Sequence, residues 1–131
     1  MGIQKGKVMQ IIIPMSGFGE RFWTAGYAVP KSLIEVDGKP IIQHVIEMFP
    51  GEKKIIFICN ERHLMESEFK MEQTLNRICP TGRVLGIPEH KLGPVHAVLQ
   101  IIEAVKLDEP AIVNYCDFTC YWDFENFKEF C

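Results

Sequence analysis

Three branched apolar residues in a row, Ile11-Ile12-Ile13, lead directly into Pro14-Met15-Ser16-Gly17-Phe18-Gly19-Glu20-Arg21-Phe22. An unbroken run of this kind reads as a strand buried on both faces, the form strands take in a parallel sheet. Glycines at 17 and 19 let the backbone turn sharply and let a ligand reach the amides with no Cβ in the way. Amides exposed in such a loop, beside a helix start, attract phosphate. Arg21 adds a fixed charge whose planar fork suits bidentate grip on phosphate oxygens. The stretch therefore predicts a strand followed by a phosphate-holding loop.

Spacing separates three loops of this type. A Walker A loop requires Gly-Lys-Ser/Thr, and Glu20-Arg21 follows Gly19 instead. A dinucleotide fingerprint requires a third glycine where Phe22 stands. The third type has further elements downstream: Val29-Pro30-Lys31-Ser32-Leu33-Ile34, then Val36-Asp37-Gly38-Lys39-Pro40-Ile41-Ile42. With Gly17-Phe18-Gly19-Glu20-Arg21, these resemble the sugar-phosphate nucleotidyltransferases, which carry G-x-G-x-R, a Pro-Lys, and a G-K-P before a hydrophobic helix. Ser32 stands where many members have proline.

Along the chain, residues 1–7 read as a loose N-terminus. Strands are expected near Val8–Pro14, Leu33–Val36, Lys54–Cys59, Arg83–Pro88 and Ala111–Tyr115. Asp37-Gly38 reads as a turn, and Pro40 opens a helix in which Ile41, Ile42, Val45, Ile46 and Phe49 share one face. Further helices are expected near Leu64–Ile78, Val95–Val105 and Asp123–Phe130. In the second of these, Val95, Val98, Leu99, Ile102 and Val105 form the apolar face. Strands alternating with helices predict an α/β fold, a doubly wound, mostly parallel Rossmann-like sheet. The resemblance implies the nucleotide-diphospho-sugar transferase type.

At 131 residues the chain fits one domain, 1–131, with a sizeable core. A net charge of −3 does not suit a nucleic-acid surface, which needs clustered Lys and Arg. No apolar run is long enough to span a bilayer, and no signal peptide precedes the first strand, so a cytoplasmic protein is expected. Met1-Gly2 is not a myristoylation signal, because Gly6 stands where Ser or Thr is required. The five cysteines, at 59, 79, 116, 120 and 131, lack disulfide-framework spacing and read as reduced thiols. Cys116, Cys120 and His96 have no second ligand pair for zinc, and His96 reads as a packed or edge histidine.

In open α/β sheets ligands bind beyond the carboxyl ends of the strands. The resemblance assigns roles there. It implies nucleotide contacts from Pro14, Met15, Ser16 and Gly17, with Gly19 and Arg21 lining the phosphates. Lys31 matches the lysine facing the phosphates of both reactants, and Asp117 the aspartate that holds Mg²⁺. Leu92-Gly93-Pro94-Val95-His96-Ala97-Val98-Leu99 matches the base-contacting loop and the helix after it. The family's base-reading glutamine upstream of Gly93 is not evident; Pro88 and Glu89 lie nearby, and Glu89 is the candidate. Arg21, Lys31 and Asp117 form the implied catalytic set.

The implied reaction is attack by an acceptor phosphate on the α-phosphate of an NTP, a pyrimidine nucleotide being favoured, with pyrophosphate leaving in line. Two anions must meet, so cations rather than acid–base groups do most of the work. The product class would be activated precursors of surface polysaccharide. The resemblance covers residues 9–124 and only the first part of the family's catalytic domain. The second metal-binding aspartate has no counterpart before Cys131, so the chain reads as a truncated transferase. The alternative is a non-catalytic nucleotide-binding or interaction module. Phe118, Tyr121, Trp122, Phe124, Phe127 and Phe130 crowd the C-terminus and read as core or as an exposed patch. Such a patch favours a homo-oligomer, detectable by sizing with light scattering.

Overall fold

The computed structural model describes residues 9–16, 29–120 and 122–129. Gly17, Gly19 and Arg21 lie outside the described residues. β1 (Gln10–Met15) lies between β4 (Ile55–Asn60) and β6 (Ala111–Val113), and β5 (Arg83–Ile87) lies beyond β4. All three pairings are parallel, with Ile11 opposite Ile55, Ile56 opposite Arg83, and Ile11 opposite Ile112.

Period-two alternation divides each central strand between two cores. Ile11, Ile13, Ile55, Phe57 and Cys59 face one side, where they pack with Ile42 and Val45 of α1 (Ile41–Ile46) and with Met71 and Leu75 of α3 (Met71–Ile78). Phe124 of α5 (Phe124–Glu129) closes this layer against Phe49, edge to face at 5.4 Å. Ile12, Ile56 and Ile58 face the other side and meet Ala97 of α4 (Gly93–Gln100) and Ile101. Helices on both faces of a parallel sheet make the fold doubly wound α/β, as the alternation of elements predicts.

Pro14 sits inside β1, one of the two inner strands, where a missing N–H would normally break a ladder. Ile12 accepts from the Asn114 N–H at 3.0 Å, so residues of its parity face β6. The pairing with β6 ends at Ile12–Val113, so the Pro14 nitrogen faces a side where no further rung exists.

Several elements depart from expectation. Leu33–Val36 is a 3₁₀ turn (Lys31–Leu33) followed by the two-residue β2 (Glu35–Val36), which pairs antiparallel with β3 (Lys39–Pro40). Asp37 (φ 53°) and Gly38 (φ 79°) make the turn between them, and positive φ at both centres is what a two-residue Asp-Gly hairpin requires. The helix expected over Leu64–Ile78 is two helices, α2 (Glu61–Met65) and α3, separated where Lys70 adopts φ 50°. The helix expected to reach Val105 ends at Gln100, and Ile102–Ala104 form a 3₁₀ turn. Its expected apolar face is also corrected. Ala97 and Ile101 are buried and Val98 and Val105 partly so, while Val95, Leu99 and Ile102 are exposed. Small Ala97 lets the helix seat directly on the sheet, which turns the larger side chains outward.

Candidate functional site

The chain runs β1, β4, β5 outward in one direction, then returns to the other side of β1 for β6. Strand order therefore reverses between β1 and β6, and the crevice above that point is where an open α/β sheet binds ligand. Ser16 follows β1 there, and the segment from Asn114 to Asp117 follows β6.

Lys31 and Asp117 meet beside this crevice, Asp117 coming from the segment after β6 and Lys31 from a 3₁₀ turn. Pro30 (φ −56°, ψ 146°) directs the backbone into the 3₁₀ turn, which is closed by Leu33 N–H to Pro30 O at 2.9 Å and anchored by buried Ser32. Asp117 lies in a turn tied by the Asn114 side-chain amide, whose Nδ2 donates to Tyr115 O (2.8 Å) and Phe118 O (3.1 Å). The Lys31 ammonium pairs with the Asp117 carboxylate, both side chains about one-third exposed (35% and 36%). At that exposure the pair contributes on the order of 0–1 kcal/mol to folding. Its significance is chemical, since a cation and a hard oxygen ligand meet at the mouth of the crevice.

A second tie joins the end of β1 to the loop before α4. The Leu92 N–H donates to His90 Nδ1 at 3.2 Å, so in the neutral ring the proton is on Nε2. His90 Nε2–H then donates to the Ser16 hydroxyl at 3.1 Å. His96, from α4, lies against the His90 ring with centroids 4.7 Å apart. Gly93 carries φ +87° at the helix entry, a conformation that side chains resist. Glu89 points its carboxylate at the Arg62 guanidinium (3.2 Å). Met15 is buried in β1.

Sequence reasoning did not single out His90 or Asn114. Ser16 and His90 are far apart in the chain, and no local pattern links them. For Asn114, its position just past β6 is a usable turn signal.

Burial holds His63 below the ordinary histidine value of 6.5, with Glu89 opposing and Arg62 reinforcing the shift. His90 is also lowered, by burial and by neighbouring His96. The unfolded chain therefore binds protons more readily at these rings, and their stabilising contribution falls as pH drops below 6.5. The thiols act at the other end. Burial, chiefly, pushes Cys59 to about 12 and Cys116 to about 11, against 9.0 for an exposed thiol. Unfolded thiols ionise first, so stability falls as pH rises above 9.0. The urea midpoint is expected to be highest between these limits; a midpoint that rises from pH 7 to about pH 5 would contradict the histidine assignment.

Beside β6 lies an open apolar groove of ≈ 610 Å³ lined by Val95, Val98, Leu99, Val113, Tyr115 and Phe118, among others. Phe124 belongs to the packed layer instead, while Trp122 stays exposed over it, its indole N–H donating to Met48 O at 3.0 Å. No helix among the described residues is long and apolar enough to cross a membrane.

The family described as nucleotidyl transferase matches residues 10–130. A UTP–glucose-1-phosphate uridylyltransferase of Haemophilus ducreyi is 31% identical over 77 residues, covering 53% of this chain and 26% of its own length. The enzyme of that name from Bacillus subtilis is 35% identical over 74 residues, 54% of this chain and 25% of its own. The matched part thus spans about a quarter of these curated relatives. Among solved structures, a putative glucose-1-phosphate thymidylyltransferase from Bacillus anthracis superposes with TM-score 0.67 at 19% identity, covering 92% of this chain and 49% of that one. The inositol-1-phosphate CTP transferase from T. maritima gives TM-score 0.67 at 20% identity, with 86% and 45% covered. These two likenesses support the nucleotide-diphospho-sugar transferase fold, and the family match over nearly all of the described sheet settles the broader assignment: the chain belongs to the nucleotidyl transferase family.

Proposed function

We propose that this chain carries the nucleotide-binding part of an enzyme that transfers NMP from an NTP to a phosphorylated sugar or similar acceptor, releasing pyrophosphate. The observation that carries the reading is the convergence of Lys31 and Asp117 at the crevice where strand order reverses. Lys31 neutralises the approaching phosphates, and Gly17, Gly19 and Arg21 hold the triphosphate. Pro14, Met15, Ser16, Glu89 and Gly93 shape the nucleotide pocket. A pyrimidine nucleotide is the favoured donor, since the curated relatives named above are uridylyltransferases. The product would serve as an activated precursor for surface polysaccharide, made in the cytoplasm.

The donor set suits Mg²⁺. Asp117 offers a hard, partly exposed carboxylate at the crevice, and Mg²⁺ commonly takes one or two carboxylates, with waters and substrate phosphates completing its shell. When bound, Mg²⁺ supplies charge neutralisation to the reacting phosphates.

A second reading is a nucleotide-binding or interaction module without turnover. It is favoured by the open apolar groove beside β6, a surface suited to covering by a partner. The exposed face of Val95, Leu99, Tyr115 and Phe118 is proposed to drive self-association of either form. Pyrophosphate release from UTP, Mg²⁺ and a sugar 1-phosphate separates the readings. Release supports the enzyme; nucleotide binding with no release supports the module.

A further inference from the structure

We propose that His90 is a positioning residue, coupling the β1 end that opens the phosphate loop to the loop that opens α4. The inference rests on the nucleotide-binding reading above.

One imidazole bridges two segments far apart in sequence, donating to Ser16 and accepting from Leu92. Ser16 is 1% exposed, and its hydroxyl sits where β1 gives way to residue 17. Leu92 is the residue before Gly93 and the N-cap of α4. Ser16 follows β1 at the crevice, and its bond to His90 holds the loop before α4 beside it, so in the proposed reading their separation governs the space a nucleotide enters. Fixing such a separation before ligand arrives reduces the ordering cost of binding. Only the neutral ring with its proton on Nε2 makes both bonds, because a doubly protonated ring cannot accept from Leu92. Burial and the neighbouring His96 ring both favour that neutral form.

The test compares His90→Ala, Ser16→Ala, the double variant and His90→Gln with wild type, reading the dissociation constant for MgUTP by calorimetry. Thermal melts confirm that each variant is folded. His90→Ala and Ser16→Ala are each expected to weaken binding about tenfold, in line with loss of one net hydrogen bond. The double variant is expected to be no weaker than either single one, since each breaks the same link. His90→Gln keeps an N–H donor near the Nε2 position and is expected to recover binding to within about threefold of wild type. A merely structural histidine would lower the melting midpoint and leave the dissociation constant unchanged. Unchanged affinity in His90→Ala, or losses that multiply in the double variant, overturns the proposal while leaving the nucleotide reading standing. A wild-type chain that binds no MgUTP overturns both.

Discussion

Lys31→Ala is expected to lower the rate of pyrophosphate release by on the order of 10²–10³, with little change in folding stability. The two halves of this expectation have separate physical origins. The ground-state pair with Asp117 is one-third exposed, so solvent screens it and its loss costs the fold at most about 1 kcal/mol. During transfer the acceptor phosphate and the α-phosphate of the NTP must approach one another, and charge spreads over the transferring group. A preorganised cation aimed at that charge lowers the barrier far more than it stabilises the resting protein. Arg21→Ala is expected to fall in the same range if Arg21 lines the phosphates as proposed. Wild-type turnover in Lys31→Ala would remove Lys31 from the mechanism. A drop in rate matched by a large drop in melting midpoint would indicate a structural role instead.

Phe57→Ala is expected to cost about 3–5 kcal/mol, a large share of a total stability on the order of 5–15 kcal/mol. Phe57 is fully buried on β4, between β1 and β5, and belongs to the larger of the two cores. Its surroundings cannot collapse easily. The ring edge lies 2.7 Å from where a Cβ on Gly82 would stand, so the neighbouring backbone is already shaped around it. Truncation therefore leaves a cavity bounded by strands that pair on both sides. Urea titration should show a much lower midpoint with an unchanged slope. A loss under about 1 kcal/mol would mean that this core repacks far more freely than its geometry indicates.

The parts legible in the sequence are those whose signal is local. Ile11–Ile13 and Ile55–Ile58 announce doubly buried strands because a strand covered on both faces, as in a parallel sheet, reads as an unbroken apolar run. Asp37-Gly38 announces its hairpin turn because the required φ values select those residues. Lys70 carries no such signal, and the break between α2 and α3 falls where no glycine or proline marks it. The face of α4 was misread for a different reason. Helical period identifies which residues share a side, but Ala97 rather than Val95 or Leu99 meets the sheet, and that depends on how closely the helix seats. Lys31 and Asp117 were legible only through a resemblance over several motifs. The same resemblance points to Ser16, but its contact with His90 had no such aid, since that contact is purely tertiary.

The most direct measurement is the thermal midpoint of the purified chain with ATP, GTP, CTP, UTP and dTTP, each with and without Mg²⁺. A ligand at about 100 times its dissociation constant stabilises a fold by roughly 2.7 kcal/mol, a shift of several degrees for a chain this size. One pyrimidine nucleotide is expected to raise the midpoint clearly above the others, with Mg²⁺ enlarging the shift. Five flat midpoints at millimolar nucleotide would contradict it, and the family relationship would then describe the ancestry of this chain and not a working nucleotide site.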